Sequence, residues 1–130
     1  MNINIIAHGI DIVEIHRLTQ LLQQSAPHFE PRCFTVTELT VAGSAANRIQ
    51  FLAGRLAAKE AVLKTLGTGW SQGTSWTDIE IQQLPTGQPF IVLYSRCQEI
   101  AATMGISQWL VSISHTQSYA LASVIALGSL

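Results

Sequence analysis

Charged side chains are scarce in this sequence. Its 130 residues include 7 Lys and Arg and 8 Asp and Glu, so that only 12% are charged and the net charge is −1, whereas about a quarter of an ordinary domain is charged. So few cations argue against a nucleic-acid partner held on a basic surface. Apolar residues, at 48%, are too frequent for a disordered chain.

Other features are missing as well. No apolar run reaches the roughly 18 residues that cross a membrane, so no membrane association is predicted. Residues 1–15 lack the basic segment and cleavage site of a secretory signal. Two cysteines, Cys33 and Cys97, make no disulfide framework, which indicates a reducing compartment, the cytoplasm. Because a lone domain needs a polar surface, the sparse charge favours a homo-oligomer over a monomer.

Hydrophobic periodicity predicts one α+β domain over residues 1–130, with antiparallel strands around one long buried helix. Residues 3–15 are rich in Ile and Val and predict a strand with a bulge at Gly9, followed by a helix over 14–25. The other predicted elements are an irregular piece between Pro27 and Pro31, a short helix opening at residues 37–39, a helix over 47–66 between Asn47 as N-cap and Gly67 as C′ residue, strands over 77–83 and 90–94, a helix over 96–104 capped by Ser95 and closed by Gly105, and a strand pair over 108–115 and 118–127.

Two carboxylates occupy positions where charge is unusual. Asp11 lies in a strand-like segment, where aspartate is normally depleted; a bond to nearby backbone N–H groups is the structural alternative. Glu60 falls near the centre of an apolar helical stripe, between Leu56 and Leu63. A buried carboxylate there requires a counter-charge, a metal or a raised pKa.

Basic residues cluster around Glu60. Lys64 lies four residues after it, and such a pair contributes only about 0.2–0.5 kcal/mol when exposed, too little to explain a carboxylate on the stripe. Arg55, Lys59 and Lys64 are three of the seven cations, gathered within ten positions. This concentration marks a candidate functional site.

Two further features admit a structural or a functional interpretation. His115 ends a predicted strand. It is either a structural histidine whose ring nitrogens are hydrogen-bonded within the protein or a histidine that binds a ligand. The tripeptide Gly67–Thr68–Gly69 caps a helix, and the helix dipole repels anions at that end unless Lys64 offsets it. Two carboxylates, a compact basic cluster and a glycine turn together predict metal-assisted chemistry on a phosphate ester, since Mg²⁺ takes carboxylates, waters and phosphates as ligands.

Three blocks in order resemble holo-acyl-carrier-protein synthase, the small stand-alone type of 4′-phosphopantetheinyl transferase. They are GIDIVEI at 9–15 with Arg17, FLAGRLAAKEAVLK at 51–64 leading to GTG at 67–69, and VSISHT at 111–116 followed by Tyr119–Ala120. The resemblance covers nearly the whole chain. It implies the 4′-phosphopantetheinyl transferase fold and a homotrimer with sites between subunits.

The resemblance also implies a reaction. The family transfers phosphopantetheine from coenzyme A to a serine of apo acyl carrier protein, and 3′,5′-ADP leaves. Asp11 and Glu60 match the Mg²⁺ ligands, and Glu60 or a metal-bound water would activate the serine. Lys64 would stabilise the phosphates. The other matched positions are Arg55, Gly67 and His115, which with Lys64 would line the coenzyme A site, and Arg17, which would contact the carrier protein.

Some positions depart from the family pattern. The first helix, over 14–25, has Arg17 and His16 but neutral glutamines where basic residues are common, and Val36 and Gln88 replace a common proline and a common cation. Weaker electrostatic attraction of an acidic carrier is expected. Two alternatives stay open. One is a metal-dependent hydrolase that splits coenzyme A or a nucleotide pyrophosphate. The other is a non-catalytic coenzyme A-binding protein, against which the intact Asp11, Glu60 and Lys64 argue.

Overall fold

A computed structural model describes residues 2–25, 28–44, 46–69 and 72–129 of the chain. These residues form five strands and five helices in the order β1, α1, α2, α3, α4, β2, β3, α5, β4, β5. Their bounds are β1 Asn4–Glu14, α1 Ile15–Ser25, α2 Phe29–Cys33, α3 Val36–Ala42, α4 Arg48–Leu66, β2 Ile79–Gln83, β3 Pro89–Leu93, α5 Ser95–Thr103, β4 Ile106–His115 and β5 Tyr119–Gly128, with a 3₁₀ turn at Trp76–Asp78 before β2. No described helix is long and apolar enough to cross a bilayer.

The strands form two antiparallel sheets. β1, β5 and β4 make a three-stranded sheet with β5 in the centre, and β2 and β3 form a separate hairpin. In the larger sheet Asp11 lies opposite Ala122, and His115 lies opposite Ala120. The predicted α+β class and the antiparallel pairing are confirmed.

Helix α4 is the centre of the core and packs on both sheets. Its small residues Ala57, Ala58 and Ala61 are fully buried, which lets the strands approach the helix backbone closely. A Cβ at Gly9 would lie 2.2 Å from the Ala61 carbonyl oxygen, so only glycine fits where β1 crosses α4. The irregularity predicted at Gly9 instead lies between Ile5 and Ala7, and Gly9 is needed for close approach.

Helix α4 follows the prediction closely at both ends. Asn47 occupies the N-cap position, although its side chain makes no capping hydrogen bond, and Gly67 adopts the left-handed conformation at φ 73°. Two local expectations are wrong. The stretch predicted as irregular ends inside a helix, because α2 begins at Phe29 and includes Pro31; Pro27, its predicted start, lies outside the described residues. Tyr94 is the N-cap of α5, and Ser95 is already inside the helix.

A second group of core residues forms where α1 and the segment after α2 meet α4. Leu18 and Phe34 are each 1% exposed. The members of this group that α1 and α4 contribute are Ile15, Leu18, Leu22, Leu52, Ala53 and Leu56. This packing fixes α1 beside α4 and leaves an open cavity between them and the end of β1.

Candidate active site

An open pocket of about 450 Å³ lies between the end of β1, α1 and α4. Asp11 from β1 and Glu60 from α4 both line it, as do Arg17 and Glu14. The rest of its wall is largely apolar and consists of Ile12, Val13, Leu18, Leu21, Phe29, Leu56, Trp76 and Tyr119. The fold therefore brings together the two carboxylates that the sequence predicted from separate segments.

Asp11 forms an ion pair with Lys64, the lysine that was predicted to belong to the same site. Strand alternation turns its side chain towards α4, where Lys64 Nζ lies 2.9 Å from Asp11 Oδ1. The same ammonium donates a hydrogen bond to the Ile10 carbonyl oxygen at 2.8 Å. The Asp11 side chain stays 20% exposed, so this carboxylate remains accessible from the pocket.

Glu60 is less enclosed than its position on the helix suggests. Its neighbours on the stripe, Leu56 and Leu63, are buried, but Glu60 itself is half-buried. The difference arises because the stripe passes the mouth of the pocket at this turn of α4. An accessible carboxylate avoids the cost of a sealed charge and can bind a ligand that enters the pocket.

The most buried charge on α4 is Lys59, which was predicted as part of the basic cluster. Its side chain is fully buried, and Nζ lies 2.7 Å from Glu38 Oε1, which is fully buried as well. Burial lowers the pKa of Lys59, and the Glu38 carboxylate opposes this shift. Glu38 was not predicted as a partner of Lys59. Its only signal was the Thr35–x–x–Glu38 spacing of a capping box, which the structure contains.

A hydrogen-bonded carboxylate lies beside this pair. Glu80 is 5% exposed, and its oxygens accept bonds from Thr35 Oγ1 at 2.6 Å, Gln82 Nε2 at 2.6 Å and Tyr94 Oη at 3.0 Å. Burial by itself raises the pKa of Glu80, but these hydrogen bonds outweigh it and bring the pKa below its usual value. Glu80 is thus an ionised, fully engaged structural group.

Arg55 is buried on another side of α4. Its guanidinium lies 3.7 Å from the centre of the Phe51 ring, and Nη2 donates to Gln83 Oε1 at 3.0 Å. Burial lowers the pKa of Arg55, and Glu38 partly offsets this shift. Among the described residues, its Nε is one of two buried side-chain atoms without a hydrogen-bond partner. The Arg55 Nε–H is therefore a buried donor without a hydrogen-bond partner within these residues.

The remaining predicted positions are spread over the chain surface. Arg17 is exposed at the rim of the pocket. Gly67 ends α4, and His115 ends β4; both are exposed, and neither lines the pocket. One chain thus brings Asp11, Glu60 and Arg17 to one pocket, with Lys64 paired to Asp11, but it does not bring Gly67 or His115 into the same cavity.

The donor set in the pocket suits a hard divalent cation. Asp11 and Glu60 offer carboxylate oxygens, the ligands that Mg²⁺ prefers, and the open pocket leaves room for waters and phosphate oxygens. Within the described part of the chain, no three His, Cys, Asp or Glu side chains form a ready metal cluster. Such a site would be completed by the substrate.

The chain matches a known family over most of its length. Residues 7–124 match the model of the 4′-phosphopantetheinyl transferase superfamily. A holo-[acyl-carrier-protein] synthase of Koribacter versatilis is 40% identical over 121 residues, which are 93% of this chain and 97% of that protein. The enzyme of the same name from Caldanaerobacter subterraneus subsp. tengcongensis is 43% identical and covers 92% and 93% of the two chains.

Solved structures of the same kind superpose on the fold. Holo-[acyl-carrier-protein] synthase from Neisseria meningitidis has 32% identity, covers 95% of this chain and 98% of its own, and gives a TM-score of 0.85. The enzyme from Bacillus anthracis, in complex with coenzyme A (3′,5′-ADP), has 33% identity, coverage of 96% and 98%, and a TM-score of 0.78. The one from Helicobacter pylori, in complex with coenzyme A, has 32% identity, coverage of 92% and 98%, and the same score.

Proposed function

The chain belongs to the 4′-phosphopantetheinyl transferase superfamily as a relative of the holo-[acyl-carrier-protein] synthases, and we propose that it transfers phosphopantetheine from coenzyme A to a serine hydroxyl of an apo acyl carrier protein. The feature that supports this most is the pocket shared by Asp11 and Glu60, with Lys64 bound to Asp11. Two related enzymes have been solved with coenzyme A or its nucleotide.

Asp11 and Glu60 would hold the Mg²⁺ ion. A bound divalent cation would neutralise charge on the pyrophosphate during transfer. The two residues come from β1 and α4, which Gly9 brings into contact, so the carboxylates are fixed by the core rather than by a loop. Lys64, which is 54% exposed, has the reach to turn from Asp11 to a phosphate oxygen.

The proposed reaction is a displacement at the β-phosphorus of coenzyme A. The serine oxygen forms a bond to that phosphorus, and the bond to the bridging oxygen breaks, so that 3′,5′-ADP leaves with the electron pair. Glu60, or a water that it orients, accepts the serine proton. Lys64 stabilises the negative charge on the pyrophosphate and on the leaving phosphate.

Coenzyme A would be bound between subunits of a homotrimer. Arg55 has a buried Nε–H without a hydrogen-bond partner in the part of the chain that the structure describes, and Gly67 and His115 are exposed away from the pocket. We propose that these three positions line the nucleotide part of the site. The outer face of the three-stranded sheet supports assembly because it exposes apolar side chains. These are Ile10 and Ile12 on β1, Leu110 on β4 and Leu121 on β5.

Arg17 is proposed to contact the acyl carrier protein. It lies in the first turn of α1, exposed at the pocket rim, where a carrier that delivers its serine has to approach. The cysteines of the chain, Cys33 and Cys97, are free and buried, which supports the proposed cytoplasmic location.

One experiment tests the reaction directly. The protein is mixed with coenzyme A, an apo acyl carrier protein and Mg²⁺, and the intact mass of the carrier is read with and without EDTA. A gain of one phosphopantetheine group that EDTA abolishes is expected. Coenzyme A consumed without a carrier adduct would favour the hydrolase, and calorimetric binding of coenzyme A without turnover would favour the non-catalytic binding protein.

A further inference from the structure

Lys59 and Glu60 are neighbours on α4, but they point to different surroundings. Glu60 lines the pocket, whereas Lys59 is fully buried behind it. Lys59 Nζ has three oxygen partners: Glu38 Oε1 at 2.7 Å, the Ile79 carbonyl at 2.6 Å and the Trp76 carbonyl at 3.1 Å. Two of these oxygens belong to the segment that carries Trp76, which is part of the pocket wall.

We propose that Lys59 and Glu38 are positioning residues that fix the Trp76 wall of the pocket relative to Glu60. The proposal rests on the proposed function, since it assigns this pair a role in the transfer reaction. Lys59 ties the first residue of the 3₁₀ turn, Trp76, and the residue directly after the turn, Ile79, to α4. Glu38 holds the next strand, because its Oε2 accepts a hydrogen bond from the Ile81 N–H at 2.8 Å.

The chemistry of the pair argues for position rather than for stability. Removing two charges from water is costly, and well-packed neutral side chains often stabilise a core equally well. Here every partner of the pair is directional: an ammonium with three acceptors and a carboxylate that also caps α3 through the Thr35 N–H at 2.9 Å. Such a network determines where the segment 76–81 lies, whereas a hydrophobic contact is not directional and would leave that position adjustable.

The position of this segment bears on the reacting groups. Trp76 and Glu60 line the same cavity, so a shift of the turn changes the space in which the serine and the pyrophosphate would have to align. Misplacement of reacting atoms by about 1 Å can cost on the order of 100-fold in rate. A loss of transfer rate is therefore expected when the pair is removed, even if the fold persists.

The test is the double variant Lys59→Met/Glu38→Gln, which removes both charges at similar volume and keeps an acceptor on residue 38. Its matched control is Arg96→Met/Glu99→Gln, an exposed pair on α5. We expect the Lys59/Glu38 variant to stay folded by circular dichroism and urea midpoint. The kcat is measured at saturating coenzyme A and carrier, at temperatures well below the unfolding transition. It should fall at least about tenfold in the Lys59/Glu38 variant, while the control keeps the wild-type kcat.

A second readout does not depend on activity. With the other tryptophans, Trp70 and Trp109, replaced by Phe in both proteins, acrylamide should quench Trp76 more strongly in the double variant than in its parent. A folded double variant with wild-type kcat and unchanged quenching would overturn the proposal. If the double variant fails to fold, Glu38→Gln alone is judged by the same two readouts. Absence of transfer by the wild-type protein would refute the proposed function, whereas the quenching result would still decide whether the pair fixes Trp76.

Discussion

Lys64 Nζ lies 2.9 Å from Asp11 Oδ1 and thereby joins α4 to β1 at the edge of the pocket. The lysine side chain is 54% exposed and the aspartate 20%, so the pair contributes at most about 1 kcal/mol to stability. Its importance is geometric. An ammonium group and an accessible carboxylate are held side by side, at the place where the proposed reaction requires a cation and a phosphate.

Glu60→Gln is the most direct test of the carboxylate site. The substitution keeps the size of the side chain and removes its charge, so metal-dependent transfer should fall by about 100-fold or more. The variant should remain as stable as the wild type, because its neutral amide removes the charge that the wild-type protein has to stabilise at this half-buried position. Steady-state transfer rates and urea unfolding measure the two effects. Glu99→Gln on α5 is the control, and full activity of Glu60→Gln would refute the metal assignment.

Lys64→Met separates phosphate binding from stability. The variant should change the free energy of unfolding by less than about 1 kcal/mol, yet raise the KM for coenzyme A and lower kcat, since a cation at the phosphates is lost. Lys64→Arg retains the charge and should keep more of the activity. Equal kinetics of the Met variant and the wild type would mean that Lys64 only fastens β1 to α4.

Gly9→Ala should damage the fold and the site together. The new Cβ would lie 2.2 Å from a backbone oxygen of Ala61, which cannot rotate away, so β1 and α4 must separate at a cost of about 1–3 kcal/mol. Because Asp11 is two residues further along the strand, transfer should fall as well. Gly87→Ala is the control for activity: its Cβ would meet nothing within 4 Å, and the backbone strain at its φ of 90° is confined to the β2–β3 turn, which does not line the pocket. Wild-type stability of Gly9→Ala would contradict the contact.

The thiol of Cys33 makes stability depend on pH. Burial raises its pKa from 9.0 to about 11, although Lys59 opposes this shift. The unfolded thiol loses its proton near pH 9 and the folded one only near pH 11, so the stabilisation is complete below pH 9 and is lost as the pH rises towards 11. The loss is at most about 1.4 kcal/mol per pH unit. The free energy of unfolding in urea is measured for the wild type and for Cys33→Ala over this pH range, and the difference between the two isolates the contribution of the thiol. A difference that does not depend on pH would contradict this expectation.

Asp11 and Glu60 could be singled out as candidates because local rules mark them. A strand aspartate and a carboxylate on an apolar helical stripe both violate ordinary patterns, and the structure places Asp11 and Glu60 in one pocket. The helical stripe could not show that Glu60 faces an opening, since that depends on where α1 packs. It could not show either that Lys59 is covered, because its partner Glu38 lies on α3, a separate helix.

The local differences in the fold have similar causes. Pro31 predicted an interruption, but it is the third residue of α2, and in the first turn of a helix the missing N–H breaks no bond. A glycine in a strand predicts either a bulge or a close approach. Only the packing of α4 against β1 decides for close approach at Gly9.

Product stoichiometry distinguishes the two possible acceptors of the phosphopantetheine group, the carrier serine and water. With wild-type protein, Mg²⁺ and coenzyme A, the 3′,5′-ADP released and the phosphopantetheine attached to an apo carrier protein are measured in the same reaction. We expect one nucleotide for each modified carrier and no nucleotide when the acceptor serine of the carrier is replaced by alanine. Release of 3′,5′-ADP with the alanine carrier at the same rate would contradict transfer to the serine.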